Sequence, residues 1–311
     1  MPLTTRIPSV AVLLSTYNGE AYLAAQLDSL ANQQFVSVEV FARDDGSTDG
    51  TIGILRSYGY RWPALATINS VKNLRPAASF LKLLATVPDT FDYYSFCDQD
   101  DVWMPEKLSY ATEKLSAFPD TEPGLYCAEV TCVDHDLTPL GQTSIRGTGR
   151  FGELIFANIV SGNTLVMNNA AAILVRSRTP ERAVIMHDWW CALVVSAFGH
   201  IVCDVRPMVL YRQHQGNALG AAPGRIPGLL FQLRVFLRDP RGFYPIRAQA
   251  AELLRLYGDG LRPADRKLAD ALVRSCRSLT ARIGYAAFGQ VPRSDILGAL
   301  GTRFLIAVGW Y

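Results

Sequence analysis

The chain has 311 residues, of which 49% are hydrophobic and 19% charged, as in an ordered globular protein with a substantial core. Its length suits one large α/β domain with an appendage. The six cysteines include no CxxC pair, which argues against a zinc site or a disulfide framework and favours buried thiols in a reducing compartment. No apolar run reaches the roughly 18 residues of a membrane span, and the first ten residues do not resemble a signal peptide.

The first hundred residues alternate predicted strands and helices. Residues 10–14 are uniformly apolar, as in a strand buried on both faces, and leucines at helical spacing follow at 23–31. Further strands are predicted at 36–43, 65–69 and 93–97, each followed by a helical pattern. Such alternation predicts a parallel sheet with helices on both faces.

Polar clusters follow three of these strands, at 15–19, 44–49 and 98–101. Parallel sheets bind ligands beyond the carboxyl ends of their strands, so the clusters are expected to converge there. In an extended segment Asp98 and Asp100 point the same way, and carboxylate oxygens suit Mg²⁺ or Mn²⁺. A solvated acidic turn is the alternative for this stretch.

The rest of the body is less regular. The pattern predicts a helix that Asp188 opens, and an Asp before a helix is also a favoured N-cap. The predicted elements are a strand at 124–133, a short helix at 151–159, a short strand at 164–167, the helix at 189–198, and closing strands at 201–205 and 208–212.

The C-terminal region differs in charge from the body. Residues 221–311 hold 14 Lys and Arg against 6 Asp and Glu, a net of +8, which leaves −6 for residues 1–220. The Gly-, Ala- and Pro-rich segment Gly216–Gly228 indicates a linker, so we expect domains at 1–217 and 218–311. Apolar stripes with arginines at 229–237 and beyond predict basic amphipathic helices, which suit a membrane interface, a packed subdomain or a dimer interface.

Several motifs in the body carry a resemblance to a known family. They are LLSTYNGEAYLAAQLDSL, RDDGSTDGT, SFCDQDDVWMPEKL, SGNTLVMN, MHDWW and LYRQHQGN. Together they resemble inverting glycosyltransferases of family 2, which have the GT-A fold, a Rossmann-like and mainly parallel mixed sheet. The last motifs and DQDDVW are similar to the rhamnosyltransferase branch. The resemblance covers about residues 8–217 and none of the C-terminal helical region.

The resemblance implies a nucleotide site at the first polar clusters. Tyr17 matches the aromatic that stacks on the pyrimidine, and Ser15 lies beside it. Asp45 matches the carboxylate that accepts from the pyrimidine N3–H. The other residues implied to contact the nucleotide or its diphosphate are Asp44, Asn73, Arg75 and Asp98.

The resemblance also implies a Mg²⁺ or Mn²⁺ cofactor. Asp98 and Asp100 match the DxD signature, with Asp100 the better metal ligand, and His214 is a further candidate ligand. The ion would stabilise the negative charge of the departing nucleoside diphosphate. Asp188 matches the catalytic base, which takes the proton of the acceptor hydroxyl.

The sugar subsites follow from the same resemblance. Gly162 and Asn163 match the segment under the donor sugar, and their neutrality suits an uncharged deoxy sugar. Trp189 and Trp190 are expected to flank the acceptor sugar, with one of them in the core.

The function implied is transfer of L-rhamnose from dTDP-L-rhamnose to a lipid-linked saccharide or polysaccharide in bacterial cell-surface glycan synthesis. The enzyme would be cytoplasmic and peripheral on the inner membrane through its C-terminal region, with a homodimer possible and no nucleic-acid partner. A UDP-hexose donor is the alternative within the class. A nucleotidyltransferase would need a basic, Gly-rich phosphate loop after the first strand, and residues 15–20 carry no Lys or Arg. A non-catalytic adaptor would not need all three of Asp98, Asp100 and Asp188.

Overall fold

A computed structural model describes residues 6–68, 73–145, 147–180, 184–214, 246–275, 277–292 and 296–309. The strands are β1 (Ser9–Thr16), β2 (Ser37–Asp44), β3 (Leu65–Ile68), β4 (Tyr93–Cys97), β5 (Val102–Trp103), β6 (Gly124–Ala128), β7 (Thr131–Val133), β8 (Pro139–Gln142), β9 (Val166–Asn168), β10 (His200–Asp204) and β11 (Val209–Arg212). The helices are α1 (Leu23–Ala31), α2 (Thr51–Arg61), α3 (Arg75–Thr86), α4 (Lys107–Leu115), α5 (Phe151–Leu154), α6 (Asn169–Arg176), α7 (His187–Phe198), α8 (Ile246–Tyr257), α9 (Pro263–Arg274), α10 (Leu279–Phe288) and α11 (Ile296–Val308). Short 3₁₀ turns lie at Gly162–Thr164 and Gly258–Gly260.

The larger of the two sheets has seven strands in the order β10-β6-β9-β4-β1-β2-β3. Strands β1 to β4 are parallel, as are β6 and β10, whereas β9 runs antiparallel to its neighbours β4 and β6. A smaller sheet has the order β5-β11-β7-β8. The predicted α/β fold with a mixed, mainly parallel sheet is therefore confirmed.

Helices cover both faces of the larger sheet, and the side chains of β1 show how. Val10, Val12 and Leu14 face a core that includes leucines of α1 and α4. Ala11 and Leu13 face the other core, which contains α3, α6 and α7. Because alternate residues of a strand point to opposite faces, a strand in this position must be apolar throughout. This is the pattern that identified it in the sequence.

Three predicted elements differ in detail. The single strand expected at 124–133 is two strands, β6 and β7, which belong to different sheets. The helix expected at 151–159 ends at Leu154. Helix α7 begins at His187 with Met186 as its N-cap, so the alternative of Asp188 as the N-cap is wrong.

The described part of the C-terminal region is helical, as expected, and α8 and α9 pack on the body. Ile246, Leu253 and Tyr257 are buried in the core that also contains α7, and the Tyr257 hydroxyl donates to the Leu174 carbonyl oxygen at 3.0 Å. The proposed linker, the apolar stripe at 229–237 and the 217/218 boundary lie outside the described residues, so that boundary stays a prediction. None of the helices in the described ranges is long and apolar enough to cross a bilayer.

Candidate active site

The strands β1, β2 and β4 end together at one edge of the larger sheet. Thr16, the last residue of β1, is paired with Asp44, the last residue of β2. Leu14 is paired with Cys97, the last residue of β4. The register therefore brings the three polar clusters of the sequence to one place.

Asp44 stabilises the turn that follows β2. Its carboxylate accepts hydrogen bonds from the backbone N–H groups of Gly46 (3.0 Å) and Ser47 (2.8 Å), and from the Thr16 hydroxyl at 2.9 Å. Gly46 has φ +92°, which glycine adopts without strain. Asp44 is thus a turn-forming aspartate in this structure, and its predicted nucleotide contact stays a prediction.

Asp45 lies in a second, buried network. Its carboxylate pairs with the Arg43 guanidinium and accepts from the backbone N–H groups of Leu74 and Arg75, each at 2.9 Å to Oδ2. Arg43 also donates to Ser79, whose hydroxyl lies 2.7 Å from the Ser15 hydroxyl. The network fastens the start of α3 to the ends of β1 and β2.

The lone pairs of the Asp45 carboxylate are largely taken up inside the protein. Oδ1 faces Arg43 and the Leu74 N–H, and Oδ2 faces the Leu74 and Arg75 N–H groups. A pyrimidine N3–H could bond to Asp45 only if the backbone at 74–75 moved away from this carboxylate. Asn73 and Arg75 are exposed beside this segment, and Arg75 has φ +65°.

Tyr17 is held by its backbone while its side chain stays 50% exposed. The Gln99 amide accepts from the Tyr17 N–H at 2.8 Å and donates to the Tyr17 carbonyl oxygen at 3.0 Å. A Cβ at Gly19 would lie 2.3 Å from Gln99 Oε1, so glycine leaves the room that this contact needs. The contact ties the predicted base-stacking residue to the acidic segment at 98–101.

Asp98 and Asp100 lie at the end of β4, and His214 reaches them from the residues after β11. His214 Nε2 is 2.9 Å from Asp100 Oδ2, and the His214 ring lies 5.0 Å from the Tyr22 ring. Burial, together with the charges of the neighbouring Asp100 and Asp188 carboxylates, raises the pKa of Asp98 to about 7. Three acidic side chains therefore repel one another here, which a cation would relieve.

The donor set of Asp98, Asp100 and His214 has the chemistry of a Mg²⁺ or Mn²⁺ site. Among the described residues, no three His, Cys, Asp or Glu side chains are grouped closely enough to hold a metal ion alone. Mg²⁺ is commonly held by one or two protein carboxylates, with substrate phosphates and waters as its other ligands. The residues fit an ion that arrives with a phosphorylated substrate.

Asp101 connects the elements around this centre. It is fully buried, and its carboxylate accepts from the Asn163 side-chain amide (2.6 Å) and the Arg212 backbone N–H (3.2 Å). Burial raises its pKa well above the usual range, as do the charges of Asp100 and Asp98. Asp101 thereby joins the end of β4 to the 3₁₀ turn at 162–164 and to β11, the strand that precedes His214.

Lys107 is a buried cation below the acidic cluster. Its ammonium group donates to the Ser95 hydroxyl at 3.0 Å and lies 3.3 Å from the centre of the Trp103 ring. Burial lowers the pKa of Lys107 to about 7, while the charges of Cys97 and Asp101 act in the opposite direction. Its positive charge opposes the repulsion among the carboxylates above it.

Asp188 lies in the first turn of α7 and is only 4% exposed. Oδ1 accepts from the Trp189 N–H at 2.6 Å, and Oδ2 accepts from the Asn158 side-chain amide at 3.3 Å. Burial raises the pKa of Asp188 to about 6, although these hydrogen bonds lower it. A carboxylate with this pKa is charged at neutral pH and is a much better proton acceptor than an exposed aspartate.

Trp189 and Trp190 are both core residues. Trp189 Nε1 donates to the Leu154 carbonyl oxygen at 2.5 Å, and the Trp190 ring packs against Tyr257 of α8 at 6.3 Å. Both indoles are almost fully buried. The expectation that they flank an acceptor sugar does not agree with this burial.

Gly162 and Asn163 lie next to Asp188 and the acidic cluster. A Cβ at Gly162 would lie 3.0 Å from His187 Nε2 and 3.5 Å from Asp188 Cβ, so this backbone approaches α7 closely. Asn163 is buried and holds Asp101. The His187 ring stacks on Phe80 at 4.1 Å, and burial lowers its pKa to about 3, so it is neutral.

The sequence reasoning missed several residues of the site. Gln99, Lys107 and Asn158 act through contacts with residues far away in the chain, and no local pattern marks Lys107 or Asn158. Gln99 alone carried a signal, since it stands between Asp98 and Asp100 in a stretch already singled out. Tyr22, under Arg212 and His214, was missed for the same reason as Asn158.

Residues 11–146 match the sequence model of glycosyl transferase family 2. A dTDP-rhamnosyl transferase of Shigella flexneri, RfbG, is 27% identical over 221 residues, which cover 67% of this chain and 74% of that protein. An uncharacterized protein of Mycobacterium tuberculosis is 28% identical over 212 residues, 66% of this chain and 59% of its own length. A putative glycosyltransferase of Bacillus subtilis, EpsE, is 35% identical over 112 residues, 36% of this chain and 38% of its own.

Among solved structures, the fold is similar to residues 1–349 of Staphylococcus aureus TarS in complex with UDP-GlcNAc. The TM-score is 0.61 at 18% identity, with 96% of this chain and 81% of the TarS chain covered. The same protein in complex with UDP gives a TM-score of 0.57. At this identity the likeness establishes the GT-A fold.

Proposed function

We propose that the chain, whose residues 11–146 match the sequence model of glycosyl transferase family 2, is a metal-dependent, inverting rhamnosyltransferase that uses dTDP-L-rhamnose. One observation carries the proposal. The buried base candidate Asp188, with a pKa of about 6, lies near enough to the DxD carboxylates to raise the pKa of Asp98. The candidate base thus lies close to the carboxylates that we assign to the metal and the diphosphate.

In the proposed reaction, Asp188 accepts the proton of the acceptor hydroxyl as its oxygen attacks the anomeric carbon. The bond from the anomeric carbon to the diphosphate breaks on the opposite side, which inverts the configuration. Asn158 and the Trp189 N–H hold the carboxylate in one orientation. A pKa near 6 matches this role, because general bases work best when their pKa is close to the operating pH.

We assign stabilisation of the leaving group to Asp98, Asp100 and His214. They would hold Mg²⁺ or Mn²⁺ together with the donor diphosphate, and the ion supplies positive charge that stabilises the departing phosphate oxygens. Asp101 keeps this group in place, since it joins β4 to the strand that leads to His214. Lys107 adds a further positive charge from below.

Nucleotide binding is assigned to the exposed Tyr17 ring, with Ser15 and Asn73 at the edges and Arg75 near the diphosphate. Gln99 fixes the Tyr17 backbone, so the stacking surface is preorganised. Asp45 has a supporting role in this conformation, because its oxygens already accept from Arg43 and the 74–75 backbone. A direct bond from Asp45 or Asp44 to the base stays a prediction.

The choice of rhamnose is supported by the Shigella flexneri relative and by the neutral donor segment. Gly162 and Asn163 present no charge, and Asn163 is engaged with Asp101. Such a subsite suits a deoxy sugar that carries neither an acid nor an amine. The acceptor we propose is a lipid-linked saccharide or polysaccharide at the cytoplasmic face of a bacterial inner membrane.

The test is a thermal-shift panel with dTDP, UDP and GDP, each with and without Mn²⁺, followed by turnover with dTDP-L-rhamnose and UDP-glucose. We expect dTDP with Mn²⁺ to stabilise the protein most, and we expect turnover with the rhamnosyl donor. Asp100→Asn should remove the Mn²⁺ dependence. The matched control is Asp136→Asn, an aspartate whose side chain is 75% exposed.

Three outcomes would overturn parts of the proposal. Preference for UDP and turnover of UDP-glucose would replace the donor and keep the class. Nucleotide binding that is indifferent to Mn²⁺ would remove the role of Asp100. No binding of any nucleotide would remove the glycosyl transfer itself.

A further inference from the structure

The last two described helices expose apolar side chains where a helix on a protein surface is normally polar. On α11, Ile296, Leu300, Phe304 and Val308 recur every fourth residue and therefore share one side of the helix. Ile296 is 80% exposed and Phe304 is 60% exposed. The opposite side is buried, with Ile306 in the core.

Helix α10 has the same inverted pattern. Leu279 and Ile283 are one helical turn apart and both are exposed, and Phe288 at its end is 92% exposed. Tyr285 faces inward, where its hydroxyl donates to the Gln290 carbonyl oxygen at 2.9 Å. We call the exposed apolar residues that share one side of each helix the hairpin face; they are Leu279 and Ile283 on α10 and Ile296, Leu300, Phe304 and Val308 on α11.

The two helices form an ordered antiparallel hairpin. The Arg303 guanidinium donates to the carbonyl oxygens of Ala286 (2.7 Å) and Gly289 (3.0 Å), which satisfies the C-terminal end of α10. Farther along α11, Gly309 lies beside the Arg282 side chain. Because the backbone ends are capped, the exposure belongs to a folded element.

The sequence around the hairpin face is predominantly basic. From 271 to 309 the sequence has five arginines and a single acidic residue. Arg274 and Arg277 are exposed, and neither forms an ion pair within the described part of the chain. Such a surface complements an anionic, partly apolar partner.

We propose that the hairpin face docks in the interface of a bilayer that contains anionic phospholipid. The apolar side chains would enter the boundary between headgroups and acyl chains, and Arg274 and Arg277 would contact the phosphates. Helix α11 has 13 residues, too few to span the roughly 30 Å hydrocarbon core, so it would lie in the surface plane. A symmetric second copy is a poorer occupant, because a two-fold interface would place the same arginines close to one another.

The docking does not depend on which donor the enzyme uses. It does give the proposed lipid-linked acceptor a surface on which to meet the enzyme. A failed lipid experiment would leave nucleotide binding and sugar transfer as they are, so the two proposals can fail separately.

The test is flotation of the full chain with vesicles of phosphatidylcholine alone or mixed with phosphatidylglycerol. We expect much stronger binding to the mixed vesicles. The double variant Leu300→Glu/Phe304→Glu should abolish binding, since two carboxylates would have to enter the interface. The control is Tyr60→Glu, an exposed aromatic (91%) on α2 of the body, which should bind as the unmodified chain does.

A second variant tests the charge without changing the apolar face. Arg274→Gln/Arg277→Gln should weaken binding to the mixed vesicles by roughly 10- to 30-fold, and added salt should reduce the difference. Thermal melting of each variant checks that it is folded. Absence of binding to mixed vesicles, or full binding by the Leu300/Phe304 variant, would overturn the proposal, as would a dimer that this variant dissociates in the absence of lipid.

Discussion

Two groups of aspartates lie near the candidate site, and they differ in how the protein surrounds their negative charge. Asp44, Asp45 and Asp49 follow β2, and each is satisfied by hydrogen bonds from the protein. Asp49 is the plainest case: burial acts to raise its pKa, but hydrogen bonds from Thr51 and from the Glu20 N–H lower it overall. The charged form of Asp49 is thereby stabilised.

The second group, Asp98, Asp101 and Asp188, has raised pKa values. Burial is the main cause for each of them, and their mutual repulsion adds to it for Asp98 and Asp101. The charged forms are disfavoured until a cation, or a proton, arrives.

The first group supports the fold, whereas the second group contains the candidates for metal binding and proton transfer. The aspartates after β2 build the turn and hold the start of α3, so they form a rigid frame for a nucleotide. The aspartates after β4 and in α7 are kept at a cost to stability, which is common where charge must meet a substrate. Substitutions in the two groups should therefore change the stability in opposite directions.

The largest expected effect is on the supporting side. Asp45→Ala should destabilise the protein by about 3–5 kcal/mol, because it leaves Arg43 buried without its carboxylate partner. Two backbone N–H groups at 74–75 would also lose their acceptor. Urea denaturation measures the change, with Asp136→Ala at an exposed position as the control. A loss no larger than that of the control would mean that the Asp45 network contributes little.

On the chemical side, Asp188→Asn should lower turnover by about 100-fold or more, since the amide cannot accept the proton. The same change should stabilise the fold at pH 8. The folded-state pKa of Asp188 is raised to about 6 from the usual 3.8. The charged carboxylate therefore lowers the free energy of unfolding above pH 6. Below pH 4 the carboxyl group is protonated in the folded state and has no such effect. The gain is at most about 3 kcal/mol.

The measurement is chemical denaturation of both proteins at pH 8 and again near pH 4, where the difference should vanish. Asp89→Asn, at an exposed position, is the control and should change neither value. A variant that is less stable than the parent at pH 8 would place Asp188 with the supporting aspartates, and the comparison between the groups would fail.

Much of this division could be predicted from the chain. Apolar strands that end in polar clusters predicted where Asp44, Asp98 and Asp100 would meet, because parallel strands bring their carboxyl ends to one edge. The assignment of Asp188 as the base came from the family resemblance. Its position before a predicted helix also suited an N-cap, so the position alone did not indicate a catalytic role.

What could not be predicted depends on contacts between distant residues. Trp190 is expected near the acceptor but lies in the core, where it packs against Tyr257 of α8. No motif in the sequence predicts that α8 packs there. The family resemblance assigns Asp45 to the base, and nothing in the sequence shows that the backbone at 74–75 donates to its carboxylate. Asn158 and Lys107 become visible only when the chain is folded.

The next effect to measure is the dependence of turnover on pH. Because Asp188 must be charged to accept a proton, turnover should fall as the pH drops through about 6 and should level off above it. Release of the nucleoside diphosphate from dTDP-L-rhamnose measures the rate at saturating Mn²⁺. A flat profile between pH 5 and 8 would contradict the assignment of Asp188 as the base.

The smallest effect tests whether Asn158 positions that base. Asn158→Ala removes a donor that favours the charged carboxylate, so the acidic limb of the pH profile should move to higher pH by less than about one pH unit. Asn169→Ala is the matched control. The side-chain amide of Asn169 donates to the backbone carbonyl oxygens of Asp89 and Phe91 and not to Asp188. That control should lose stability and keep the limb where it is. An Asn158 variant that loses stability without moving the limb would be structural only, and the orientation of Asp188 would then depend on backbone N–H groups such as that of Trp189.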